Sequence, residues 1–308
     1  MNPMLSRRRF LQASAIVATL SPFASGYLAA AQSDPIKKTI PSSGEKLSVI
    51  GLGTSRTFDV NADNAAQSPL LEVMRAFFAN GGQLIDSSPM YGSAEAVTGA
   101  LLQALDNSAG LFTATKVWTY GKSEGIEQME RSMQRLGVEQ IDLMQIHNLR
   151  DWQTHIDTLV DWKAEGRIRY IGITTSHGRY HDELEEILQQ LPLDFVQFSY
   201  NILNRTAEQR LLPIAREKGI ATLINRPYQR GSLFRKVKGK PLPAWTAEFD
   251  CASWGQFFLK FIAAHPAVTC IIPATSKLKH MVDNMAAGYG RLPDEPTRQR
   301  MIKLIETL

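Results

Sequence analysis

The chain has 308 residues, of which 44% are hydrophobic and 21% are charged, and its formal net charge is +4. This composition excludes a disordered or collagen-like chain, and the length suits one large domain or two ordinary ones. Three of the positive charges lie in the first 31 residues, so the rest is close to neutral and gives no reason to expect a nucleic-acid partner. The only two cysteines, Cys251 and Cys270, exclude a disulfide scaffold and a cysteine-based zinc site.

Residues 1–31 have the pattern of a twin-arginine signal peptide. Arginines at positions 7–9 precede Phe10 and Leu11, residues 10–31 carry no charge, and alanines at 29–31 suit a cleavage site. We predict export through the twin-arginine (Tat) machinery to the bacterial periplasm or beyond, with residues 32–308 as the mature domain and no membrane span after cleavage. An ordinary secretory signal and an uncleaved membrane anchor are the alternatives.

After residue 31, short apolar runs alternate with longer helical patterns, of which residues 70–80 are an example with one apolar face. The eight predicted strands are 49–53, 83–86, 111–116, 141–147, 170–174, 195–199, 221–226 and 269–273. Consecutive strands start 25 to 34 residues apart in six of the seven intervals. This spacing predicts an α/β fold, a (β/α)8 TIM barrel. An open doubly wound sheet is the competitor, but Gly51 and Gly53 lack the third glycine of its usual fingerprint.

The last interval is longer than the others because of residues 230–247, which are rich in lysine, glycine and proline. A long loop after the seventh strand lies at the C-terminal face of a barrel, where active sites sit. We therefore predict a lid over the site, with a disordered surface excursion as the alternative.

Four ionisable side chains stand at or just after the ends of neighbouring predicted strands: Asp86, Tyr91, Lys116 and His147. Taken singly, Asp86 could cap a helix and Tyr91 could be an aromatic residue of a turn. Lys116 could mark the end of a buried strand, and His147 could be a core histidine. Together they suit acid catalysis, because an ammonium lowers the pKa of a nearby phenol and a carboxylate can hold that ammonium. Tyr91 would then protonate a carbonyl oxygen that His147 orients. No side chain provides the reductant, which a nicotinamide cofactor would supply.

Three segments resemble the aldo-keto reductase family. Residues 84–92 resemble its aspartate–tyrosine signature, residues 114–118 its lysine strand and residues 142–147 its histidine strand. The resemblance runs through nearly the whole chain after residue 31. It implies a (β/α)8 barrel that reduces an aldehyde or ketone to an alcohol. The catalytic tetrad that it implies is Asp86, Tyr91, Lys116 and His147.

The same resemblance implies where a nicotinamide would bind. Residues 172–176 stand where the family usually has Ser-Asn, so Thr174 offers a hydroxyl whereas Thr175 lacks an amide. Gln197 matches the family's other carboxamide partner, with an inward barrel residue as the alternative. Asn225 takes the place of an aromatic residue that often stacks on the nicotinamide, although some branches of the family lack that aromatic.

Residues 272–284 resemble the family's segment for the adenosine phosphate. The residues implied are Thr275, Ser276, Lys277, His280, Asp283 and Asn284. Lys277 would pair with a 2′-phosphate, which favours NADP(H) over NAD(H), and Asn284 would contact the adenine. The alternative for Lys277 is a solvated lysine at a helix start.

Two further residues are predicted to line the substrate pocket. Trp118 would form an apolar wall of the pocket, and residues 150–152 would extend that wall. His177 would line the pocket because it follows the fifth strand. The histidines show no metal-ligand pairing, so no metal is predicted. The sequence thus predicts an NADP(H)-dependent aldo-keto reductase acting on a small carbonyl substrate. The alternative is a nicotinamide-binding redox sensor or regulatory subunit on the same fold, without turnover.

Overall fold

Eight parallel strands follow one another around a single sheet in the same order as in the chain. The computed structural model describes residues 34–106, 110–176 and 178–308, so the predicted leader and His177 lie outside the described residues. The strands are β3 (Leu52–Gly53), β4 (Leu84–Asp86), β5 (Phe112–Val117), β6 (Ile141–His147), β7 (Ile168–Thr174), β8 (Phe195–Ser199), β9 (Ala221–Asn225) and β10 (Cys270–Ile271). Each coincides with one predicted strand, and the predicted (β/α)8 barrel is confirmed.

The barrel closes between its first and last strands. Parallel bridges join Ile50 to Ile271 and Gly53 to Ala274. A Cβ atom on Gly53 would lie 2.7 Å from the Ile272 carbonyl oxygen, closer than real Cβ contacts allow. Gly53, which matched a dinucleotide fingerprint only weakly, therefore permits the close approach of the first and last strands that closes the barrel.

Helices alternate with the strands and cover the outside of the barrel. They are α1 (Leu70–Ala79), α2 (Ala94–Leu105), α3 (Lys122–Leu136), α4 (Trp152–Ala164), α5 (His181–Gln190), α6 (Leu211–Lys218), α7 (Ser232–Lys236), α8 (Trp254–Ala263), α9 (Leu278–Ala286) and α10 (Glu295–Thr307). The predicted apolar face of α1 is confirmed by the burial of Leu70, Met74 and Phe77. No helix in the described part of the chain is both long and apolar enough to cross a membrane.

A hairpin that was not predicted closes the N-terminal end of the barrel. Its strands, β1 (Lys37–Thr39) and β2 (Lys46–Ser48), pair antiparallel. Ile40 and Leu47 are fully buried. They pack against side chains inside the barrel, namely Leu84, Phe112, Ala114, Leu143, Tyr170, Phe195, Ala221, Leu223, Cys270 and Ile272. This apolar plug leaves the opposite end, where the strands terminate, for polar side chains.

Residues 230–247, predicted as a long loop, contain short helical turns. The 3-10 helices Gln229–Gly231 and Ala244–Phe249 flank α7. Leu233 is fully buried, and Val237 is nearly so. A disordered surface excursion is therefore wrong for this segment, because its apolar side chains anchor it to the core. Its role as a lid stays a prediction.

We expect Ile40→Ala to lower the free energy of unfolding by about 2–5 kcal/mol, because it removes buried methyl groups and leaves a cavity in the plug. The measurement is urea denaturation followed by circular dichroism. Lys37→Ala, on the exposed side of the same hairpin, is the control and should stay within about 0.5 kcal/mol of the wild type. If Ile40→Ala and the wild type had the same midpoint of urea denaturation, the proposed contribution of the plug to the stability of the fold would be wrong.

Candidate active site

A buried ion pair occupies the centre of the open end. Lys116 Nζ lies 2.7 Å from Asp86 Oδ2, and neither side chain is more than 2% exposed. Lys116 also donates to the Ser87 carbonyl oxygen at 2.6 Å. Burial by itself would lower the pKa of Lys116, but Asp86 and Tyr91 outweigh that effect and raise it. The ammonium therefore stays charged at neutral pH.

Two glutamine amides complete the surroundings of the Asp86 carboxylate. Gln145 Nε2 and Gln197 Nε2 each lie 3.0 Å from Asp86 Oδ1. Gln145 lies opposite Lys116 across β5 and β6, and Gly172 leaves room for it, since a Cβ there would be 2.9 Å from Gln145 Cγ. Gln145 was not singled out from the sequence. The strand period of two could have found it, because it puts Gln145 and His147 on the same side of β6.

Tyr91 lies in the turn after β4, between Lys116 and His147. Lys116 Nζ is 5.0 Å from the centroid of its ring. The His147 ring meets it edge-on, with 5.7 Å between centroids. Burial raises the pKa of Tyr91 and outweighs the lowering effect of Lys116. The net fall in the pKa expected from the sequence is therefore wrong for this structure. The phenol is protonated at neutral pH, as a proton donor requires.

His147 ends β6 and is held as a neutral imidazole. Burial, together with the charges of Lys116 and Arg150, keeps its pKa well below its ordinary value. Its Nδ1 lies 3.0 Å from Ser88 Oγ. Ser88 Oγ accepts from the Met90 N–H at 3.2 Å, and its hydroxyl has no acceptor other than His147 Nδ1 among the described residues, so we assign the hydroxyl hydrogen to that nitrogen. This tautomer leaves an N–H on Nε2, which has no hydrogen-bond partner among the described residues.

Gln197 and Asn225, both predicted cofactor residues, belong to the same polar network. Gln197 Nε2 donates to Gln145 Oε1 at 3.0 Å as well as to Asp86. Asn225 Nδ2 donates to Gln197 Oε1 at 3.2 Å and to the Thr175 carbonyl oxygen at 3.0 Å. Hydrogen bonds thus use both amide hydrogens of Gln197, which leaves it only acceptor capacity for a ligand.

Unsatisfied polar atoms lie where β6 and β7 end. Thr175 Oγ1 and Asn148 Oδ1 are buried and have no hydrogen-bond partner among the described residues. The Asn148 N–H contacts Thr174 Oγ1 at 3.4 Å, and His147 and Thr174 are partners in the β6–β7 register. A buried polar atom left unpaired costs about 1–3 kcal/mol. These side chains therefore fit a polar ligand group, such as a carboxamide, that would pair with them.

The predicted adenosine-phosphate residues divide into two groups around α9. Ser276, Lys277 and His280 are exposed at its start, where no side chain of the described residues caps the helix. Thr275 is buried, and its Oγ1 accepts from the Lys277 N–H at 3.1 Å.

Asp283 and Asn284, further along α9, are held by neighbours. Asp283 accepts from Ser253 Oγ and Gln256 Nε2, both at 2.8 Å. Asn284 Oδ1 accepts from the Tyr228 hydroxyl at 2.6 Å. The structure thus ties these two side chains to α8 and to the β9 loop.

Three arginines around the open end were missed in the sequence. Arg56 follows β3, whereas Arg226 and Arg230 follow β9, and all three have positive φ angles of 65°, 51° and 54°. None forms a salt bridge with a carboxylate of the described residues. Burial and repulsion from Arg230 and Arg56 lower the pKa of Arg226. Their position in the loops that follow strands could have indicated them, because in a barrel these loops lie at the C-terminal face, where active sites sit.

The predicted substrate residues are Trp118 and His177. The Trp118 ring lies 6.4 Å from the His147 ring, between centroids, which places it beside the site. His177 lies outside the described residues. Within residues 34–106, 110–176 and 178–308, no three His, Cys, Asp or Glu side chains are grouped so that they could hold a metal ion.

We expect Lys116→Met to lower the free energy of unfolding by about 3–5 kcal/mol, because it leaves the Asp86 carboxylate buried without its cation. Urea denaturation at neutral pH measures this change in the free energy of unfolding. The double variant Lys116→Met/Asp86→Asn should recover much of the lost free energy of unfolding, because it no longer buries an unpaired carboxylate. The exposed pair Arg75–Glu72 is the control, since Arg75→Met should cost less than about 1 kcal/mol. If Lys116→Met were no more destabilising than Arg75→Met, the central role of the buried pair would be wrong.

Solved structures share this fold. An aldo-keto reductase from Bacillus halodurans is 21% identical, with a TM-score of 0.72 and coverage of 88% of this chain and 96% of that one. An aldo-keto reductase from Klebsiella pneumoniae, solved in complex with NADPH, is 22% identical, with a TM-score of 0.72 and coverage of 88% and 95%. At these identities the likeness concerns the fold alone.

Sequence comparison carries the assignment further. An uncharacterized oxidoreductase of Schizosaccharomyces pombe is 32% identical over 68% of this chain and 71% of the relative. An NADH-specific methylglyoxal reductase of Escherichia coli is 30% identical over 50% of this chain and 54% of that protein. The model of the aldo/keto reductase family matches residues 49–300. The chain therefore belongs to the aldo/keto reductase family of oxidoreductases.

Proposed function

We propose that the protein is an NADP(H)-dependent reductase that converts an aldehyde or a ketone to an alcohol. The observation that carries this proposal is the protonated Tyr91 beside the buried Lys116–Asp86 pair and the neutral His147. A general acid must hold its proton at working pH and must lie near a group that stabilises the charge it leaves behind. Tyr91 and Lys116 meet both conditions.

Each residue of the tetrad has one task. The Nε2–H of His147 orients the carbonyl oxygen, and the Tyr91 hydroxyl donates its proton to the same oxygen. Lys116, whose Nζ lies 5.0 Å from the ring centroid, stabilises the phenolate that remains. Asp86 holds Lys116 in place through the 2.7 Å ion pair, and Trp118 supplies an apolar wall.

Several side chains suit a nicotinamide cofactor, which when bound would supply the hydride to the carbonyl carbon. Thr175 and Asn148 carry unpaired buried oxygens that fit a carboxamide. Their neighbours Thr174, Gln197 and Asn225 join the same proposed contact. The guanidinium groups of Arg56, Arg226 and Arg230, which pair with no carboxylate in the described part of the chain, suit the cofactor's diphosphate.

The preference for NADP(H) over NAD(H) is proposed from Lys277. Its ammonium is exposed at the start of α9, where free backbone N–H groups also favour a phosphate. Ser276, Thr275 and His280 complete the proposed 2′-phosphate site, and Asp283 and Asn284 lie on the same helix. The relatives differ on this point, since the K. pneumoniae structure contains NADPH and the E. coli relative is named NADH-specific.

We also propose that residues 1–31 direct the protein through the twin-arginine machinery to the periplasm or beyond. The arginines at 7–9 and the uncharged stretch 10–31 support this proposal. The small-molecule carbonyl is then the proposed partner of residues 32–308.

We expect Tyr91→Phe to lower kcat/KM by at least about a hundredfold, since it removes the proton donor and leaves the ring in place. The measurement follows NADPH absorbance with methylglyoxal as the substrate. Tyr289→Phe is the matched control, because the Tyr289 hydroxyl donates only to the Asn80 carbonyl oxygen. Full activity in Tyr91→Phe would remove Tyr91 from the mechanism. NADPH binding without turnover on any carbonyl would favour a redox sensor instead.

We expect Lys277→Met to weaken NADPH binding by roughly tenfold and to leave NADH binding unchanged, because only NADPH carries the 2′-phosphate. Fluorescence of the bound reduced cofactor measures both affinities. Lys303→Met, an exposed lysine on α10, is the control. Equal losses for NADPH and NADH would show that Lys277 does not read the 2′-phosphate.

A further inference from the structure

Arg150 presents an unpaired guanidinium group beside the proposed catalytic residues. Its central carbon lies 4.2 Å from the centroid of the Trp118 ring and 4.9 Å from that of Tyr120. These are cation–π distances, so the two rings hold the charge in place without neutralising it. Across residues 34–106, 110–176 and 178–308, no carboxylate oxygen lies within the 4.0 Å that defines a salt bridge to Arg150.

The adjacent carboxylate is used elsewhere. Asp151 Oδ2 accepts from the Gly121 N–H at 2.8 Å, and its Oδ1 accepts from Thr154 Oγ1 at 2.9 Å. Asp151 therefore holds the loops after β5 and β6 together instead of pairing with Arg150. The positive charge of Arg150 remains available to a ligand.

The backbone around Arg150 is in a strained conformation. Asn148, Leu149 and Asp151 have φ angles of 55°, 55° and 50°, in the left-handed region that residues with a Cβ rarely adopt. Leu149 is buried, and the Arg150 N–H donates to the His147 carbonyl oxygen at 3.2 Å. Such strain persists where packing enforces it and is common in ligand-binding loops. Here it fixes Arg150 over the two rings.

Arg150 is also close to the reacting end of the site. The Trp118 ring on which it lies is 6.4 Å from the His147 ring, so Trp118 is a neighbour of both Arg150 and the residue proposed to orient the carbonyl. The arginines suited to the diphosphate follow β3 and β9, whereas Arg150 follows β6. Its side-chain N–H groups have no acceptor among the described residues, and their planar fork matches a carboxylate.

We propose that Arg150, held by Trp118 and Tyr120, binds the carboxylate of an anionic carbonyl substrate. This inference rests on the proposed function and narrows its substrate class to aldehydes and ketones that carry a carboxylate away from the reacting carbonyl. Arg150 forms a bidentate contact with that carboxylate, Trp118 packs on the carbon skeleton between the two groups, and His147 and Tyr91 receive the carbonyl oxygen.

The test compares 4-formylbenzoate with its methyl ester, an aldehyde in which a methyl group replaces the negative charge of the carboxylate. We expect the wild type to have a lower KM for the carboxylate than for the ester. Arg150→Met should raise the KM for 4-formylbenzoate by about tenfold or more, mainly without loss of kcat, so that the ratio of the two KM values collapses. Arg150→Lys should restore part of the preference, because it returns the charge without the planar fork.

The matched control is Arg300→Met. The Arg300 guanidinium also lies 4.2 Å from the centroid of a tryptophan ring, that of Trp245, but Arg300 is on α10, outside the proposed catalytic and cofactor sites. Its loss should therefore leave both KM values unchanged. A second readout is inhibition by benzoate, which cannot be reduced. Its inhibition constant should rise in Arg150→Met by the same factor as the KM for 4-formylbenzoate.

The outcomes separate this inference from the proposed function. If the ester is reduced but the wild type and Arg150→Met show the same KM ratio, the carboxylate contact is overturned and the reductase proposal stands. A wild type with no preference for the carboxylate also overturns the contact, even if Arg150→Met does not fold. If neither aldehyde is reduced, the proposed function and this inference are both overturned.

Discussion

The buried contact between Lys116 and Asp86 is the interaction on which the site depends. Two charges removed from water are stable only if they pair closely and if the remaining hydrogen-bonding positions are filled. Asp86 Oδ1 meets this condition through Gln145 and Gln197. The partners come from β4, β5, β6 and β8, so the barrel must be closed and in register before the ion pair is satisfied. The cation then contributes to the electrostatics of Tyr91 and His147, although burial has the larger effect on both pKa values.

The two ends of the barrel differ in polarity: apolar side chains fill one end, and polar side chains line the other. The N-terminal end is filled by apolar side chains around Ile40 and Leu47, which excludes water and stabilises the fold. The C-terminal end keeps unpaired polar groups, namely the Thr175 and Asn148 oxygens and guanidinium groups without carboxylate partners among the described residues. Stability gained by packing at one end allows unsatisfied groups to persist at the other, where a ligand can pair with them.

The positions of the candidate catalytic side chains could be predicted from the sequence because they follow local rules. Strands repeat with a regular spacing, and parallel strands of a barrel bring their C-terminal ends to one face, so Asp86, Lys116 and His147 had to be near one another. The position of Gln145 could also be predicted in this way, because it lies two residues before His147 on the same strand. The hairpin was missed because its strands of three residues each are too short to show a period.

Other properties arise only from packing. The direction of the Tyr91 pKa depends on how completely the barrel removes water from its hydroxyl, and burial outweighs the Lys116 charge that the sequence suggested. The order in residues 230–247 depends on where Leu233 and Val237 find a core to enter. The stacking of Arg150 on Trp118 and Tyr120 depends on left-handed residues that no short motif signals.

The sequence by itself determined the barrel, the family and the four candidate catalytic residues, because strand spacing and short motifs are local properties of the chain. Only the tertiary structure decided which polar groups are paired and which are left for a ligand. Pairing depends on the distances between side chains from different strands, and those distances exist only once the sheet has closed. The free guanidinium of Arg150 and the occupied amide of Gln197 are two results of that closure.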